Sequence, residues 1–304
     1  MRLHNWGRWG PADEIGTANF ITPETIVAAA GLVRRGVVFS CAIPFDAKGP
    51  TYPTRQPPQY LMKRSGADYA AGHPTVGNVP EGGMKFADDY VFAALQSSTQ
   101  WDALSHAWYG DELYNGFAQT EVRNTGAAKL GIDKLCRHFV GRGILLDLPR
   151  VMNGGARLAQ GYAISARDLD TTAERHGVEV RTGDILLIRT AHVPWFYTLR
   201  DKREFWRGAP GLGHSTIDWL HRHEVAAVAL DTAAVEVQPA EDGNGLPLHG
   251  ALLRDLGLTL GELFDLEALA DDCAMDGVYE FLFVGQPLRI PGAVGSPINP
   301  LAIK

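Results

Sequence analysis

The sequence predicts an α/β protein, and two observations carry this prediction. Apolar segments of strand length alternate with amphipathic, helix-like segments through the C-terminal two thirds of the chain. The composition, with 45% hydrophobic and 21% charged residues among 304, is typical of an ordinary globular protein. No internal repeat, low-complexity segment or linker is visible. We therefore expect a single domain over residues 1–304.

The N-terminal part of the chain is predicted to be less regular. Residues 1–36 form an arm that ends in a helix over 22–36, where a Thr cap and a Pro precede apolar residues and a Gly follows. A strand is predicted over 37–45. Residues 48–88 are rich in Pro, Gly and polar side chains. They are predicted to form a long loop, which could act as a lid over a site.

The rest of the chain is predicted to alternate between helices and strands. Helices are expected where a polar cap precedes apolar residues at helical spacing, and strands where short apolar runs occur. The predicted helices cover 165–177, 214–225 and 246–257, the predicted strands cover 184–190, 226–232 and 279–290, residues 131–148 hold a short helix and a buried strand, and 261–270 continue into loop or helix.

Charge and targeting signals exclude several classes of function. The net charge is -7 with His counted as neutral, and no block of five like charges occurs, so nucleic acid is not expected as a partner. No run of 18 apolar residues and no signal-peptide core are visible, so we expect no membrane span or membrane partner. The three cysteines are far apart, which argues against a disulfide framework and favours a cytoplasmic location.

The stretch QSSTQWDALSH, residues 96–106, holds the first candidate site. In an extended segment Gln96, Gln100 and Asp102 share one face, because side chains two apart point the same way. A carboxylate is a hard oxygen ligand for a divalent metal. His106 could return to the same site as a ligand or a general acid–base. A polar strand edge, with side chains bonded to backbone, accounts for the same pattern.

A second candidate cluster lies in LPLHGALLRDLGLTLGE, residues 246–262. His249 is near the start of an amphipathic helix, where a side chain can reach a cleft, and Glu262 follows two glycines. A hydrogen-bonded core or cap histidine is the alternative. Asp231 and Glu236 lie at and beyond a predicted strand end, where α/β proteins place chemistry. Both could instead be helix caps or surface carboxylates.

Segments along most of the chain match one known family in order and spacing. They are WGPADEIGTANFITPE (9–24), STQWDALSHAWYGDELYNG (98–116), VRTGDILLIRT, VAAVALDTAAVEV, LPLHGALLRDLG and PLRIPGAVGSPINPLAI. With them the chain resembles the cyclase family of metal-dependent hydrolases, which includes bacterial kynurenine formamidase and isatin hydrolase. The resemblance implies a swivelling β/β/α domain with a long N-terminal arm. It also implies metal-assisted attack of water on an amide.

The resemblance also implies roles for four residues. Asp102 looks like the carboxylate ligand of the family motif His-x-Gly-Thr-His-x-Asp-x-x-x-His, and His106 looks like the acid–base histidine that ends it. His249 and Glu262 look like the second-site ligands of formamidase-type members. Their spacing is one residue longer than the family pattern leads us to expect.

The chain departs from the family motif at its two ligand histidines. Gln96 and Gln100 stand at those positions, and Ser98 stands where the family has Gly. An amide oxygen is a weaker donor than imidazole toward Zn or Mn. The change could abolish the metal site. It could also leave a looser, oxygen-rich site of Gln100, Asp102, His249 and Glu262, so the implied cofactor remains a divalent metal ion, Mn or Zn.

Side chains near the motif are candidates for binding the substrate. Amphipathic aromatic residues suit a pocket for a flat ring, and core packing is their alternative role. In the resembling family an N-terminal arm can help to close a neighbour's site, which implies a homodimer or homotetramer. The substrate-binding candidates are Gln96, Trp101, Trp108, Tyr114 and, from the arm, Asn19.

Three functions agree with these residues. The expected one is arylformamidase-like hydrolysis of a C–N bond in a small aromatic amide, formamide or cyclic amide, with metal at Asp102 and proton transfer by His106. The second is a metal-independent cyclase or isomerase acting on a polyketide-like or aromatic substrate, with the same two residues as its base pair. The third is a non-catalytic protein that binds a small molecule. Dependence on metal and the presence of turnover distinguish the three.

Overall fold

The computed structural model describes residues 3–243 and 245–304. Within these residues no helix is long and apolar enough to cross a membrane. The α-helices of this part are α1 (Pro23–Ala30), α2 (Gly66–Ala71), α3 (Leu148–Met152), α4 (Ala166–His176), α5 (His192–Thr198), α6 (Ser215–Arg222), α7 (Pro247–His249), which continues as a π-helix (Gly250–Leu256), and α8 (Glu267–Asp276). Its strands are β1 (Val38–Ser40), β2 (Gln59–Arg64), β3 (Asp88–Phe92), β4 (Gln100–Asp102), β5 (Val122–Arg123), β6 (Gly126–Ala127), β7 (Val140–Asp147), β8 (Ala163–Ile164), β9 (Ile185–Arg189), β10 (Gly211–Leu212), β11 (Ala227–Leu230), β12 (Thr259–Glu262), β13 (Glu280–Val284), β14 (Gly295–Pro297) and β15 (Leu301–Ile303).

A large mixed sheet organises the molecule. In the described part of the chain it has nine strands, in the order β1-β15-β13-β7-β9-β11-β12-β4-β14. Its centre, β7-β9-β11-β12, is parallel, and the strands on either side join it antiparallel. Parallel strands are covered on both faces and therefore read as continuous apolar runs, which is why the sequence reveals them. The α/β prediction is confirmed.

The sheet separates two apolar cores. Successive side chains of a strand point to opposite faces, so Ile144 and Leu186 belong to one core, while Leu145 and Leu187 belong to the other. Helices α4, α6 and the π-helix pack into the first core. The second core is built around buried aromatic rings, which are Trp101, Phe139, Phe264, Phe281 and Phe283.

The predicted helix signals are present where they were expected. Helix α4 begins after Ser165, which exchanges hydrogen bonds with Asp168 in a capping box, and it ends at Gly177 with φ +64°. Helix α1 has a capping box after Thr22 and a Pro in its first turn. It ends at Gly31, however, and is shorter than the predicted 22–36, because glycine is a poor helix former.

Residues 48–88 are not the plain loop that the sequence predicts. They contain β2, α2 and the start of β3, and β2 and β3 form an antiparallel hairpin. The hairpin is apolar on both faces: Tyr60 lies opposite Val91 on one face, and Leu61 lies opposite Tyr90 on the other. All four side chains are more than half exposed. Strand β3 lies in DDYVFAALQSST, where the sequence predicts a strand, whereas β2 does not show the alternation of a half-buried strand and gives little strand signal.

The N-terminal arm packs against its own chain. The Asn5 backbone N–H donates to the Asp255 carbonyl at 3.0 Å, and the Asn5 side chain donates to the Leu256 carbonyl at 2.9 Å. The Trp6 indole N–H donates to the Arg254 carbonyl at 2.7 Å. These bonds hold the arm on the π-helix.

Candidate functional site

Two neighbouring strands bring the first polar groups together. In the pairing of β4 with β12, Gln100 lies directly opposite Glu262. Opposed residues share a face of the sheet, and Gln100 Nε2 donates to Glu262 Oε2 at 2.7 Å. Asp102, two residues from Gln100, is on the same face. Gly261 is needed beside them, because a Cβ there would come within 2.5 Å of the Trp101 ring.

His249 enters this cluster from α7 and is held by Glu236. Glu236 Oε1 accepts the His249 backbone N–H at 2.9 Å and lies 2.5 Å from Nδ1, and Oε2 accepts the Leu248 N–H at 3.1 Å. With Nδ1 bonded to Glu236, the other ring nitrogen, Nε2, faces Glu262 Oε1 at a distance of 3.3 Å. Burial alone would lower the pKa of His249, but the hydrogen bonds and charges of the two glutamates outweigh it and raise that pKa to about 10.

Asp102 is the most exceptional group of the cluster. It is fully buried, and among the described residues neither of its carboxylate oxygens has a hydrogen-bond partner. His106 Nε2 lies 3.9 Å from Asp102 Oδ1, which is too far for a hydrogen bond. Burial raises the pKa of Asp102 to about 6, with Glu262 adding to the rise and His106 opposing it. Because a buried carboxyl group without a partner is costly, the site is suited to receive a further group.

A divalent cation fits this cluster. Asp102, His249 and Glu262 each offer one ligand atom within 4.8 Å of the others. Gln100 Oε1 is also buried and has no partner in the described part of the chain. The donor set is therefore two carboxylates, one amide oxygen and one imidazole. Such an oxygen-rich set favours Mn or Mg over Zn.

Two residues of the cluster, His249 and Glu262, line a cavity of about 400 Å³. This volume is within the range of small-molecule sites, about 300–1,000 Å³. His106, His249 and Glu262 are polar residues that line this cavity. The His106 side chain is about one fifth exposed, so it lies between the buried cluster and the open cavity.

Aromatic side chains form another part of the cavity wall. The Trp206 ring meets the Tyr52 ring edge-on at 5.4 Å between centroids and the Phe205 ring at 5.0 Å. The His192 ring stacks on Phe205 at 4.5 Å. Burial, with the nearby charge of Arg157, lowers the pKa of His192 to about 3, so this imidazole is neutral. The wall is suited to a flat ring.

Two candidate residues of the motif, Gln96 and Trp101, do not lie where a substrate-binding role requires them. Gln100 begins β4, whereas Gln96 lies in the preceding turn rather than in a strand over 96–102. Its buried Nε2 has no partner among the described residues. Trp101 points to the opposite face of β4, where it packs in the second core and donates to the Gly285 carbonyl at 2.6 Å. It is fully buried there and does not line the cavity.

The structure also places the other three substrate-binding candidates outside the cavity. Tyr114 is buried, and its hydroxyl donates to Asp13 at 2.9 Å. Asn19 donates to the same carboxylate at 2.8 Å, within the N-terminal arm. Trp108 packs against the first core and donates to Gln119. All three hold loops and the arm together.

Several residues of the site and of the cavity have no predicted role from the sequence. The sequence identifies Glu236 only as a carboxylate beyond a strand end, because its contact with His249 depends on the fold of the loop between β11 and α7. Phe205 and Trp206 belong to aromatic-rich sequence that indicates a pocket for a flat ring, with core or oligomer packing as the alternative, and no role is predicted for either residue. Tyr52 and Arg55 lie in the segment predicted as a loop, and nothing local marks them as cavity residues.

Comparison with known proteins agrees with this fold. The profile of the family described as "Putative cyclase" matches residues 26–237, well over half of the chain. The chain belongs to the cyclase family. A solved structure described as a novel cyclase is 48% identical, and each chain covers 100% of the other with a TM-score of 0.94. No curated protein matches the chain.

More distant members of known structure share the cyclase fold. Isatin hydrolase A from Ralstonia solanacearum is 18% identical with a TM-score of 0.59, and the match covers 93% of this chain and 98% of that one. A predicted metal-dependent hydrolase from Bacillus stearothermophilus is 14% identical with a TM-score of 0.53, over 88% and 98% of the two chains. The match of the family profile over residues 26–237 confirms the expected membership of the cyclase family.

Proposed function

We propose that this member of the cyclase family hydrolyses the C–N bond of a small aromatic amide, formamide or cyclic amide, in the manner of an arylformamidase. The observation that carries the proposal is the set of buried oxygens of Asp102 and Gln100 that have no partner among the described residues. They lie beside His249 and Glu262, which line a cavity with aromatic residues. Structures of the same fold described as isatin hydrolases and metal-dependent hydrolases support it.

The residues of the cluster have distinct parts in this reaction. Asp102, His249, Glu262 and the amide oxygen of Gln100 would hold a divalent cation. Such a cation, when bound, supplies Lewis-acid polarisation of a carbonyl and a lower pKa for water. Glu236 holds one proton of His249 on Nδ1, so a cation that displaces the other proton would have Nε2 as its ligand atom.

His106 would carry the proton. It stands at the boundary of the cluster and the cavity, with Nε2 3.9 Å from Asp102. It takes a proton from the attacking water as the oxygen bonds to the amide carbon, and it returns that proton to the nitrogen as the C–N bond breaks. The products are a carboxylic acid and an amine. The aromatic wall would hold the ring of the substrate during this exchange.

Two further expectations belong to the same proposal. We propose a cytoplasmic location, supported by three free cysteines, two of which, Cys41 and Cys273, are buried. Burial raises the pKa of both thiols to about 12. We also propose a homodimer or homotetramer, supported by the exposed apolar hairpin of β2 and β3. No nucleic-acid or membrane partner is proposed.

The test separates cation binding from proton transfer. Metal content is measured by elemental mass spectrometry on untagged protein, and hydrolysis is measured on formylated aromatic amines and cyclic imides. Asp102→Ala is expected to lose the metal and the activity. His106→Ala is expected to keep the metal and lose about 100- to 10,000-fold in kcat. His214→Ala, an exposed histidine outside the cavity, is the matched control.

Two results would contradict the proposal. Hydrolysis by His106→Ala at the rate of the wild-type protein would show that His106 does not transfer the proton. A protein that stays free of metal after incubation with Mn, Zn and Mg would rule out metal-assisted hydrolysis. The Gln100–Glu262 hydrogen bond would then favour the metal-independent cyclase or isomerase as the alternative function.

A further inference from the structure

Arg55 brings a positive charge to the cavity. It lines the cavity together with His106 and Glu262. Its Nη1 donates to the Gln96 carbonyl at 2.8 Å, and its guanidinium carbon lies 5.7 Å from the centroid of the Tyr52 ring. These two contacts hold the side chain in place, because Gln96 and Tyr52 belong to different segments of the chain.

The guanidinium of Arg55 has no carboxylate partner in the described part of the chain. No Asp or Glu oxygen there lies within 4.0 Å of it. Arg189, which is buried, and Arg254, which is partly buried, both form such ion pairs elsewhere in the chain. A guanidinium has five N–H donors in a planar fork, and Nη1 makes the single side-chain hydrogen bond found for Arg55. The other donors are available to a ligand.

The surroundings of Arg55 indicate the chemistry of that ligand. The aromatic wall of Tyr52, Phe205 and Trp206 suits a flat ring, and the guanidinium lies beside the first of these rings. A guanidinium binds a carboxylate through two parallel hydrogen bonds and discriminates it sharply from a neutral group. A ligand that carries both an aromatic ring and a carboxylate would satisfy the wall and Arg55 together.

We propose that Arg55 is the specificity-determining residue of the cavity and binds a carboxylate that the substrate already carries. This inference rests on the proposed function and narrows its substrate to a carboxylate-bearing aryl amide. The carboxylate takes no part in the reaction. Water still adds to the amide carbon, the C–N bond breaks, and the leaving nitrogen takes a proton. Arg55 selects and orients the ring that carries the amide.

The kinetic test compares two probes that contain the same scissile bond. They are 2-formamidobenzoate, which carries a carboxylate, and formanilide, which does not. Wild-type protein is expected to prefer the anionic probe, and Arg55→Gln is expected to lower the ratio of the two kcat/KM values about 10- to 100-fold. Arg55→Lys, which keeps the charge but lacks the planar fork, is expected to recover part of the ratio.

The control and the contradicting result are equally specific. Arg203→Gln removes an exposed arginine that is paired with Asp201 outside the cavity, and it is expected to leave both values unchanged. Equal losses on the two probes in Arg55→Gln would show that Arg55 only holds the Gln96 turn in place. Absence of any preference in the wild-type protein would also overturn the inference.

A binding measurement separates this inference from the proposed function. Benzoate and benzamide are titrated into the wild-type protein and Arg55→Gln by calorimetry, and circular dichroism shows that both are folded. Benzoate is expected to bind more tightly than benzamide only when Arg55 is present. If neither formamide is hydrolysed but this difference is seen, the proposed function fails and the role of Arg55 stands. If formamides are hydrolysed and the difference is absent, the role of Arg55 fails alone.

Discussion

At the scale of single residues, Glu236 determines how His249 presents its ring. Three N–H groups point at its two carboxylate oxygens. Glu236→Gln would place an NH₂ group against one of these donors, because a carboxamide has a single acceptor oxygen. We expect Glu236→Gln to weaken binding of Mn²⁺ about 10- to 100-fold, as the loss of a residue that orients a metal-binding histidine does. Competition with a chromophoric chelator measures the affinity.

A matched control makes this result specific. Glu179→Gln removes the same charge from a side chain that is more than three quarters exposed and distant from the cluster. It is expected to keep the affinity of the wild-type protein. Equal affinity in the two variants would mean that the orientation of His249 does not depend on Glu236.

His192 is expected to make the stability of the protein depend on pH. Its pKa is about 3 in the folded protein, because burial and Arg157 disfavour the charged ring, and about 6.5 in the unfolded chain. Between these values the unfolded chain binds more protons, so stability falls as the pH is lowered through this range. The free energy of unfolding is expected to drop by about 2 kcal/mol from pH 7 to pH 5 through this residue alone.

Urea unfolding of His192→Gln at the two pH values measures the contribution. The variant has no titrating group at this position. Its free energy of unfolding is therefore expected to change less between pH 7 and pH 5 than that of the wild-type protein, by about 2 kcal/mol. The comparison is made within each protein, which cancels any cost of placing a glutamine beside Phe205. An unchanged difference would contradict a buried, neutral His192.

The residues that sequence reasoning placed correctly are related by local geometry. Gln100 and Asp102 share a face because a strand alternates every residue, and the same rule sends Trp101 to the core. The contact of Glu236 with His249 could not be predicted in this way. It requires the fold of the loop between β11 and α7, which no local period determines.

At the scale of elements, the helix that carries His249 is irregular for a physical reason. Only three residues of α7 are α-helical before the chain widens into the π-helix. At the junction a Cβ on Gly250 would come within 2.6 Å of the Tyr109 ring, so glycine allows that ring to pack against the helix. π-Helical segments are frequent at functional sites. Apolar spacing predicts a helix over 246–257 but cannot distinguish these forms.

The hairpin of β2 and β3 is expected to be covered by a second copy of the chain. An isolated two-stranded hairpin is marginally stable in water, and this one exposes apolar side chains on both faces. Tyr60, Tyr90 and Phe92 are 61%, 54% and 64% exposed, so these rings alone offer roughly 350 Å². That is close to half of the roughly 800 Å² per partner in a standard interface.

Charges on both faces test this assembly. Leu61→Lys with Val91→Lys places one ammonium group on each face of the hairpin. Light scattering after size exclusion is expected to show a dimer or tetramer for the wild-type protein and a monomer for this variant. Val27→Lys with Met275→Lys, at exposed positions on α1 and α8, is expected to keep the assembly. A monomeric wild-type protein, or an assembled hairpin variant, would contradict the expectation.

At the scale of the whole molecule, the sequence predicts the layers but not the order of the strands. Strands β7, β9 and β11 are recognisable because burial on both faces gives each of them a continuous apolar run. The edge that carries the site is different. There β4 lies between β12 and β14, which come from residues more than 150 positions later in the chain. Pairings of such separation leave no periodic signal in a single sequence.

The N-terminal arm contacts the end of the π-helix at Gly257. Gly16 is the arm residue that comes closest to that glycine. Gly16 has φ +56°, and a Cβ on it would lie 2.0 Å from the Gly257 carbonyl oxygen, which accepts the Thr17 N–H at 2.9 Å. Gly257 in turn ends the π-helix that follows His249. Any side chain at position 16 would therefore separate the arm from the helix that supports the site.

Gly16→Ala and Gly10→Ala are a matched pair for this contact. Both glycines have positive φ, so both variants carry the strain of a left-handed alanine, about 1–2 kcal/mol. A Cβ on Gly10 would meet nothing within 4 Å, so Gly10→Ala is expected to lose only that amount in urea unfolding. Gly16→Ala must also displace backbone, and we expect it to lose more than about 4 kcal/mol. Equal losses would show that the arm can separate from the π-helix without cost to the rest of the fold.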